Sequence, residues 1–456
     1  MNAIDLLQPR HTYAPDTGEG HIYSPTALWT AAARMLHAGG NITQITDANL
    51  RPYEQKSDVV GVNVVGAPYI PDIRNKIQET LSYGTRLILG GAVINGLSHT
   101  QLVRLFGDNS VNGNDDRLIS NSLVLDLPEP MQAPEQTSLI DVYERIGDED
   151  MRKYMEHEMS FYLGQGCKFN CSFCAIPGRK LPERYRSADI VEKDLRYLAQ
   201  RALKLTIPTL ELYFSNVDLF QTPQRLAEFA GIAKRVLQEG QRTNPAFRLR
   251  TRGLATVSSF LDMHEVHPEI IHALVESGLH RVGFGIDGAT PEVWKSVRKG
   301  HNTMPKCVDA VRIARKEYGL TPEVLMVFGH SKDTARSLRL AVEFTVGMNG
   351  LYGAVPRPHV AKDLIPNNDN WPLLENADRV ELLLSHPEYF QALDFTALPS
   401  TISHRIAELR LAVERAARMI ASIRGNITDI IYPIAPEFSD ELNALHRLLN
   451  IGKYDN

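Results

Sequence analysis

The stretch Phe161–Lys180, FYLGQGCKFNCSFCAIPGRK, puts Cys167, Cys171 and Cys174 within eight residues, and the rest of the 456-residue chain holds only one more cysteine, Cys307. Three thiols at C-x-x-x-C-x-x-C spacing on one short, glycine-flanked loop can turn toward a common metal centre. Iron–sulfur cubes are held by cysteine thiolates, normally four, so three local ligands leave one iron open. Zinc is the rival reading. Its structural sites are closed tetrahedra, usually built from two separated ligand pairs, and the chain has no second C-x-x-C and no H-x-x-x-H. So few cysteines argue against a disulfide framework, and a vicinal trio in a reducing compartment points to metal binding or reactivity.

The flanking residues set this loop in a βα rhythm. Upstream, MSFYLGQGC (159–167) reads as a strand running into the loop; downstream, SADIVEKDLRYLAQRAL (187–203) reads as a helix with Ser187 as its cap. TLELYFSN (209–216), AFRLRTRG (246–253), RVGFGID (281–287) and EVLMVFG (323–329) read as further strands. The helices between them include PEIIHALVESG (268–278), MPKCVDAVRIARKEYG (304–319) and TARSLRLAVEFTVGMNG (334–350). Five or six such units in about 200 residues predict a partial or complete α/β barrel, with its chemistry on loops at the C-terminal ends of the strands, where the cysteine loop falls. Cys307 sits in a helical segment near Val308, Val311 and Ile313 and reads as a packed small hydrophobe.

The first part of the chain has the same alternation. AIDLLQP (3–9), ITQITDAN (42–49), DVVGVNVVG (58–66) and RLILGG (86–91) read as strands. SPTALWTAAARMLHAGG (24–40) reads as a helix with Ser24 as N-cap, Pro25 just inside and Gly39–Gly40 as its stop, and SHTQLVRLFG (98–107) as another. Near-continuous Val/Ile/Leu runs ending in glycine predict buried parallel strands covered on both faces. The expected organisation is an α/β domain over 1–125, a linker over 126–157 that opens with the Pro- and Gln-rich DLPEPMQAPEQTS, the barrel over 158–355, and a mostly helical extension over 356–456. In the extension, TISHRIAELRLAVERAARMIASIRG (401–425) is amphipathic with i, i+4 charge pairs.

Hydrophobic residues make up 43% and charged residues 23% of the chain, values that suit buried cores in two or three domains. A formal net charge of -5 without Lys/Arg runs gives no footprint for nucleic acid or an acidic membrane. The N-terminal residues lack the layout of a signal peptide and no window approaches the ~18 apolar residues of a membrane span. The expected location is the cytoplasm.

GCKFNCSFC, with Phe173 before the last cysteine, resembles the signature of the radical S-adenosylmethionine (SAM) superfamily. The resemblance extends over about residues 158–345. It implies a TIM-like partial (β/α)6 barrel and a [4Fe–4S] cluster held by Cys167, Cys171 and Cys174. The open iron would chelate the amino and carboxylate groups of SAM, and an electron donor of flavodoxin or ferredoxin type would serve the cluster. It also assigns residues to the cofactor. Phe173 belongs to the signature. Ser215, Asn216 and Asp218 stand where relatives carry a Gly-Gly-Glu loop that contacts the amino group; that triplet is missing here, and capping a strand end is the other role open to them. Arg250 and Arg252 lie on alternate positions of one strand, where one would meet the cofactor carboxylate or be ion-paired. Asp287, in GFGIDGATPEVWKSVRKG (283–300), would accept a ribose hydroxyl or cap a helix.

An α/β domain ahead of such a barrel resembles the flavodoxin/Rossmann-like cobalamin-binding domain of the class B radical SAM methyltransferases. Gly90, Gly91 and Gly96 would let backbone approach a corrin. The D-x-H-x-x-G motif that supplies a histidine to cobalt is missing, and His11 and His21 lie at the wrong spacing. QGCKFNCSFCAIPGRKLPERYRSADIVEKDLRYL (165–198) also resembles the methylthiotransferases, but these carry three further cysteines ahead of the barrel and residues 1–166 here carry none. His330 and Thr334 in FGHSKDT, and His359, Asn367, Asn368, Asp369 and Trp371 in PRPHVAKDLIPNNDNW (356–371), are candidates to shape a substrate pocket. The expected activity is cobalamin-dependent methyl transfer to a small molecule in natural-product biosynthesis. Two alternatives stand beside it. One is a radical SAM enzyme with a vestigial first domain that performs aminocarboxypropyl transfer, rearrangement or cyclisation. The other is a non-catalytic iron–sulfur or corrin sensor.

Overall fold

A computed structural model describes residues 3–10, 24–64, 69–91, 93–94, 97–113, 127, 129, 131–174, 183–216, 218–328, 330, 332 and 335–360. Gly96, His11, His21, Thr334, the 367–371 candidates and residues 361–456 of the expected extension lie outside the described residues, and the first residues of that extension, 356–360, belong to a barrel strand. The first five strands are β1 (Ile4–Gln8), β2 (Ile42–Asp47), β3 (Val59–Asn63), β4 (Arg86–Gly90) and β5 (Ser110–Asn112). They form one parallel sheet in the order β2-β1-β3-β4-β5, the flavodoxin-like arrangement, whose switch point lies between β1 and β3. Helices α1 (Thr26–His37), α2 (Ile70–Glu79) and α3 (His99–Phe106) connect the strands. Ser98 and Gln101 close a capping box at the start of α3.

Every residue of β1 and β3 is buried, as the apolar runs predict for a sheet covered on both faces. Leu7, Val60, Val62, Leu87 and Leu89 pack with Ile70, Leu102 and Phe106 from α2 and α3 into a core of their own. Ile4, Leu6, Val59 and Ile88 face α1 and belong to a second core that continues into the barrel. The first domain therefore folds onto the rest of the chain. Gly91, at the end of β4, has φ 110°, and a Cβ there would stand 2.4 Å from the Val64 carbonyl oxygen. Gly91→Ala is expected to cost roughly 1–3 kcal/mol, read as a lower urea unfolding midpoint; an unchanged midpoint would contradict the close packing of the β3 and β4 ends.

The segment expected to be a linker is a packed connector. Residues 140–156 form α4 (Ile140–Arg145) and α5 (Asp148–Glu156), and Val142, Tyr143, Met151, Tyr154 and Met155 are buried in the shared core. Trp29 of α1 meets the rings of Tyr143 and Tyr154 edge-on at 5.8 and 5.1 Å, and the Tyr154 hydroxyl donates to Asp47 at 2.8 Å. Ser24 differs from its expected role. Pro25 occupies the N-cap of α1 with no side-chain cap, and the Ser24 hydroxyl oxygen accepts from the Ser160 amide at 2.7 Å, tying α1 to the barrel.

The barrel strands are β6 (Met159–Phe161), β9 (Thr209–Phe214), β10 (Arg248–Thr256), β11 (Leu279–Gly285), β12 (Thr321–Phe328) and β13 (Val355–Val360). A short ladder of β7 (Gly164–Gln165) and β8 (Arg184–Tyr185) brackets the cysteine loop. All six barrel strands are parallel and stand side by side in chain order, which is a singly wound partial barrel. Helices α6 (Ala188–Lys204), α7 (Pro223–Thr243), α8 (Val257–Val266), α9 (Pro268–Glu276), α10 (Pro291–Ser296), α11 (Met304–Lys316) and α12 (Ala335–Tyr352) link these strands. One sheet face, with Leu210, Leu212, Phe214, Leu249, Val282, Phe284, Val324 and Met326, is mostly apolar and buried in the shared core. Cys307 is fully buried in that core, as expected of a small hydrophobe. Among the described residues no helix is long and apolar enough to cross a membrane.

A fully buried ion pair fastens the connector to the barrel. Arg186 donates to Asp194 and to the Tyr162 and Thr137 carbonyls at 2.9 Å, while Asp194 accepts from the Ser138 hydroxyl and the Leu139 amide.

Candidate active site

The cysteine loop leaves β6 at the C-terminal end of the barrel. Gly166 takes φ 93°, which lets the chain turn so that Cys167 faces inward. The Phe169 amide donates to the Cys167 sulfur at 3.4 Å and the Gln221 side-chain amide does so at 3.7 Å; the Gln221 oxygen accepts from the Lys168 amide at 2.8 Å. A turn from Cys171 to Cys174 is closed by a 3.2 Å backbone bond. The far side of the loop rests on the segment after α10. Ser172 donates its amide to the Val297 carbonyl at 3.3 Å, Arg298 reaches the Asn170 carbonyl at 3.4 Å, and Phe169 stacks on His301 at 4.6 Å.

Burial is the main force on the thiols. It pushes Cys167 up, with Asp218 and Cys174 adding to the effect against the Phe169 and Gln221 bonds, and it pushes Cys171 up to about 11, opposed by the Lys299 ammonium. Cys167 and Cys174 each raise the Cys171 thiol further, so the three sulfurs share one electrostatic neighbourhood. Among the described residues no three His, Cys, Asp or Glu side chains converge on the radius of a single ion.

Asp287 stands at the end of β11 with φ 52° and is ion-paired with Lys299, whose ammonium also donates to the Gly285 carbonyl at 2.9 Å. Burial opposes the charge on Lys299, but Asp287 and the Cys171 sulfur raise its pKa. A Cβ at residue 285 would lie 2.8 Å from this ammonium, which is why Gly285 precedes the pair. Asn216, beyond β9, is 5% exposed, and its side-chain oxygen has no partner among the described residues. An unpaired buried acceptor is costly unless a ligand satisfies it, and the amino group of SAM is such a donor. Phe173 packs against His330 at 5.3 Å, which brings a strand-end candidate to the cysteine loop.

Other candidates are committed elsewhere. Asp218 is buried and accepts from Thr256 at 2.8 Å and Ser259 at 2.6 Å, fixing the start of α8; burial raises its pKa despite these bonds. Ser215 donates to the Phe161 carbonyl at 3.3 Å, joining β9 to β6. Arg250 pairs with Glu211 at 3.1 Å. Arg252 gives two bonds to Glu158 at 2.8 and 2.6 Å and one to Glu323 at 2.8 Å, so the structure does not bring it to the cofactor end. Lys299 and Gln221 are not among the candidates that the sequence singles out. The only signal for Lys299 is its place in the Asp287 segment, and Gln221 has none.

Residues 161–344 match the model of the radical SAM superfamily. This segment is a radical SAM domain. The domain implies a [4Fe–4S] cluster and SAM, and the three sulfurs, the unpaired Asn216 oxygen and the Asp287–Lys299 pair fit that assignment. An uncharacterised methyltransferase of Pyrococcus horikoshii is 26% identical over 197 residues, 42% of this chain and 38% of that protein. A tRNA-2-methylthio-N(6)-dimethylallyladenosine synthase of Sorangium cellulosum is 28% identical over 269 residues, 54% of this chain and 50% of that protein. The match therefore spans half or less of these relatives' lengths. The fold of the longer described chain is shared with the radical SAM methyltransferase TsrM from Kitasatospora setae, solved with cobalamin and a [4Fe–4S] cluster: TM-score 0.56, 18% identity, 81% of this chain and 77% of that one. It is also shared with the cobalamin-dependent radical enzyme OxsB: TM-score 0.56, 12% identity, 86% of this chain and 56% of that one.

Proposed function

We propose that this chain is a radical SAM methyltransferase that uses cobalamin and acts on a small molecule, in natural-product assembly. The observation that carries the reading is the three-cysteine loop at the C-terminal end of a partial barrel whose core is continuous with a flavodoxin-like domain. When bound, the cluster supplies the electron that breaks a C–S bond of SAM, and cobalamin supplies a carrier for the methyl group. Cys167, Cys171 and Cys174 would hold the irons. Asn216 would accept from the amino group, Asp287 from a ribose hydroxyl, and Lys299 would meet the carboxylate. Gln221 and the Val297–His301 segment keep the loop in place. At the β1/β3 switch point the Asn63 side-chain amide donates to the Gln8 side-chain oxygen at 2.7 Å, which gives the α/β domain a polar floor for a corrin but no metal ligand.

The test is anaerobic reconstitution followed by iron and cobalt analysis and one reductant-triggered turnover with SAM. Cluster, bound corrin and a methylated acceptor support the reading. The missing D-x-H-x-x-G motif favours a second reading, a radical SAM enzyme with a vestigial first domain; 5′-deoxyadenosine formation without corrin absorbance would establish it. Lys299→Met is expected to weaken SAM binding to the cluster-loaded protein by about tenfold or more, with Lys299→Arg retaining most of it. Affinity unchanged from the parent in Lys299→Met would exclude Lys299 from the site.

A further inference from the structure

The barrel face opposite the helices is charged. Glu323 is fully buried there beneath three guanidinium groups. Arg252 reaches one of its oxygens at 2.8 Å; Arg281 at 3.3 Å and Arg357 at 3.2 and 2.9 Å share the other. These bonds join strands two apart, β10 to β12, and show the sheet curling around this face. Burial works against the charge on Glu323, yet Arg252, Arg357 and Arg281 together hold it below the ordinary glutamate value. With Glu158 counted, among the described residues three arginines face two carboxylates, and one positive charge is left over.

The surplus sits on two residues. Arg252 spends three donors on Glu158 and Glu323 and stacks on the Tyr213 ring. Arg281 gives a single bond, its buried Nε has no partner among the described residues, and its side chain is 31% exposed. Arg357 uses Nε and one Nη on one oxygen and is 28% exposed. Toward the cofactor end the same face is apolar. Leu254, Leu325 and Val327 are half-buried and belong to neither hydrophobic core. The lack of a side chain at Gly283 lets Leu254 and Leu325 approach each other, since a Cβ there would stand 2.8 and 2.7 Å from them. In register, Arg357 is level with Leu325, and Leu325 with Gly285, the residue that holds Lys299. Two strand spacings put Arg357 about 10 Å from Gly285, the length of a small molecule.

Building on the reading of the barrel as the reaction chamber, we propose that the substrate carries an anionic group, carboxylate or phosphate, on a small apolar body. Arg281 and Arg357 hold the anion, and Leu254, Leu325 and Val327 support the body beneath the cofactor. Arg252 and Glu323 are positioning residues: Glu323 anchors the two partly exposed guanidinium groups on one oxygen and keeps them aimed along the face.

The test is ligand-observed fluorine NMR on the cluster-loaded full chain with 4-fluorobenzoate, 4-fluorophenyl phosphate and the neutral isostere 4-fluorobenzamide. At least one anion is expected to bind about tenfold or more tightly than the amide, and whichever binds better identifies the group. Arg357→Gln and Arg281→Gln should each remove that preference. Should either variant misfold, the anion–amide contrast on the unaltered chain still decides. An amide that binds as well as both anions, or folded variants that bind the anion unchanged, would overturn the proposal. Iron content and 5′-deoxyadenosine yield from the same preparations separate the two readings. Anion binding without SAM cleavage sinks the enzymatic reading and leaves the anion site, whereas cleavage without an anion preference does the reverse.

Discussion

Replacing any one of Cys167, Cys171 or Cys174 by alanine is expected to lower iron from about four to below about one per chain after anaerobic reconstitution. SAM cleavage should fall by more than about a hundredfold, since even outer-shell changes at metal sites cost 10–100-fold. The three sulfurs share one neighbourhood, whereas Cys307 is fully buried in the core. The fold should survive these changes. Cys171 and Cys174 are only partly buried, and the loop is held by Gln221, Val297 and Arg298 through backbone groups that alanine retains. Urea midpoints should therefore stay near the parent value while the cluster disappears. Cys307→Ala is the matching control, expected to keep its iron and to lose about 1 kcal/mol through a small core cavity. Iron retained in all three loop variants would show that the metal lies elsewhere.

Asp194→Ala is expected to destabilise the chain by about 3–5 kcal/mol, because it leaves the Arg186 guanidinium buried without a counter-charge. Both side chains are 0% exposed, so water cannot take over. Asp194 also accepts from Ser138 and Leu139 at the head of the connector, and Arg186 donates to Thr137 there, so the loss should loosen the α/β domain and the barrel together. A single urea transition shifted to lower concentration is the expected result. The paired replacement Arg186→Met with Asp194→Leu should recover much of the loss, since well-packed apolar residues often substitute for a buried ion pair. A cost below about 1 kcal/mol for Asp194→Ala would mean that water reaches the pair.

Features encoded in local spacing are legible in the sequence itself. The C-x-x-x-C-x-x-C loop is one turn of chain; β1 and β3 of the first sheet announce themselves as apolar runs because both of their faces are covered, and β9 and β10 of the barrel by alternation, because one face is apolar and the other carries ion pairs. The sites that depend on distant partners are not. Ser24 looks like a cap from its neighbours, but its hydroxyl is taken by Ser160, 136 residues away. Arg252 looks like a cofactor ligand until Glu158 and Glu323, 94 and 71 residues away, claim its donors. The connector helices were hidden for a related reason. Their buried Val142, Tyr143, Met151 and Tyr154 are interleaved with acids and bases, and only the tertiary contact with Trp29 shows which side is inward. Lys299 belongs in sequence to the segment that resembles the family's, which gives it no role, whereas the fold buries it against Asp287 beside the cysteine loop.

The central claim is an iron cube held by Cys167, Cys171 and Cys174 with one iron open to SAM. Electron paramagnetic resonance of the dithionite-reduced, anaerobically reconstituted chain, recorded with and without SAM, tests it most directly. The account predicts a reduced [4Fe–4S] signal whose g-values shift when SAM is added. A chain that gives no such signal, or one whose signal SAM leaves unchanged, would contradict it.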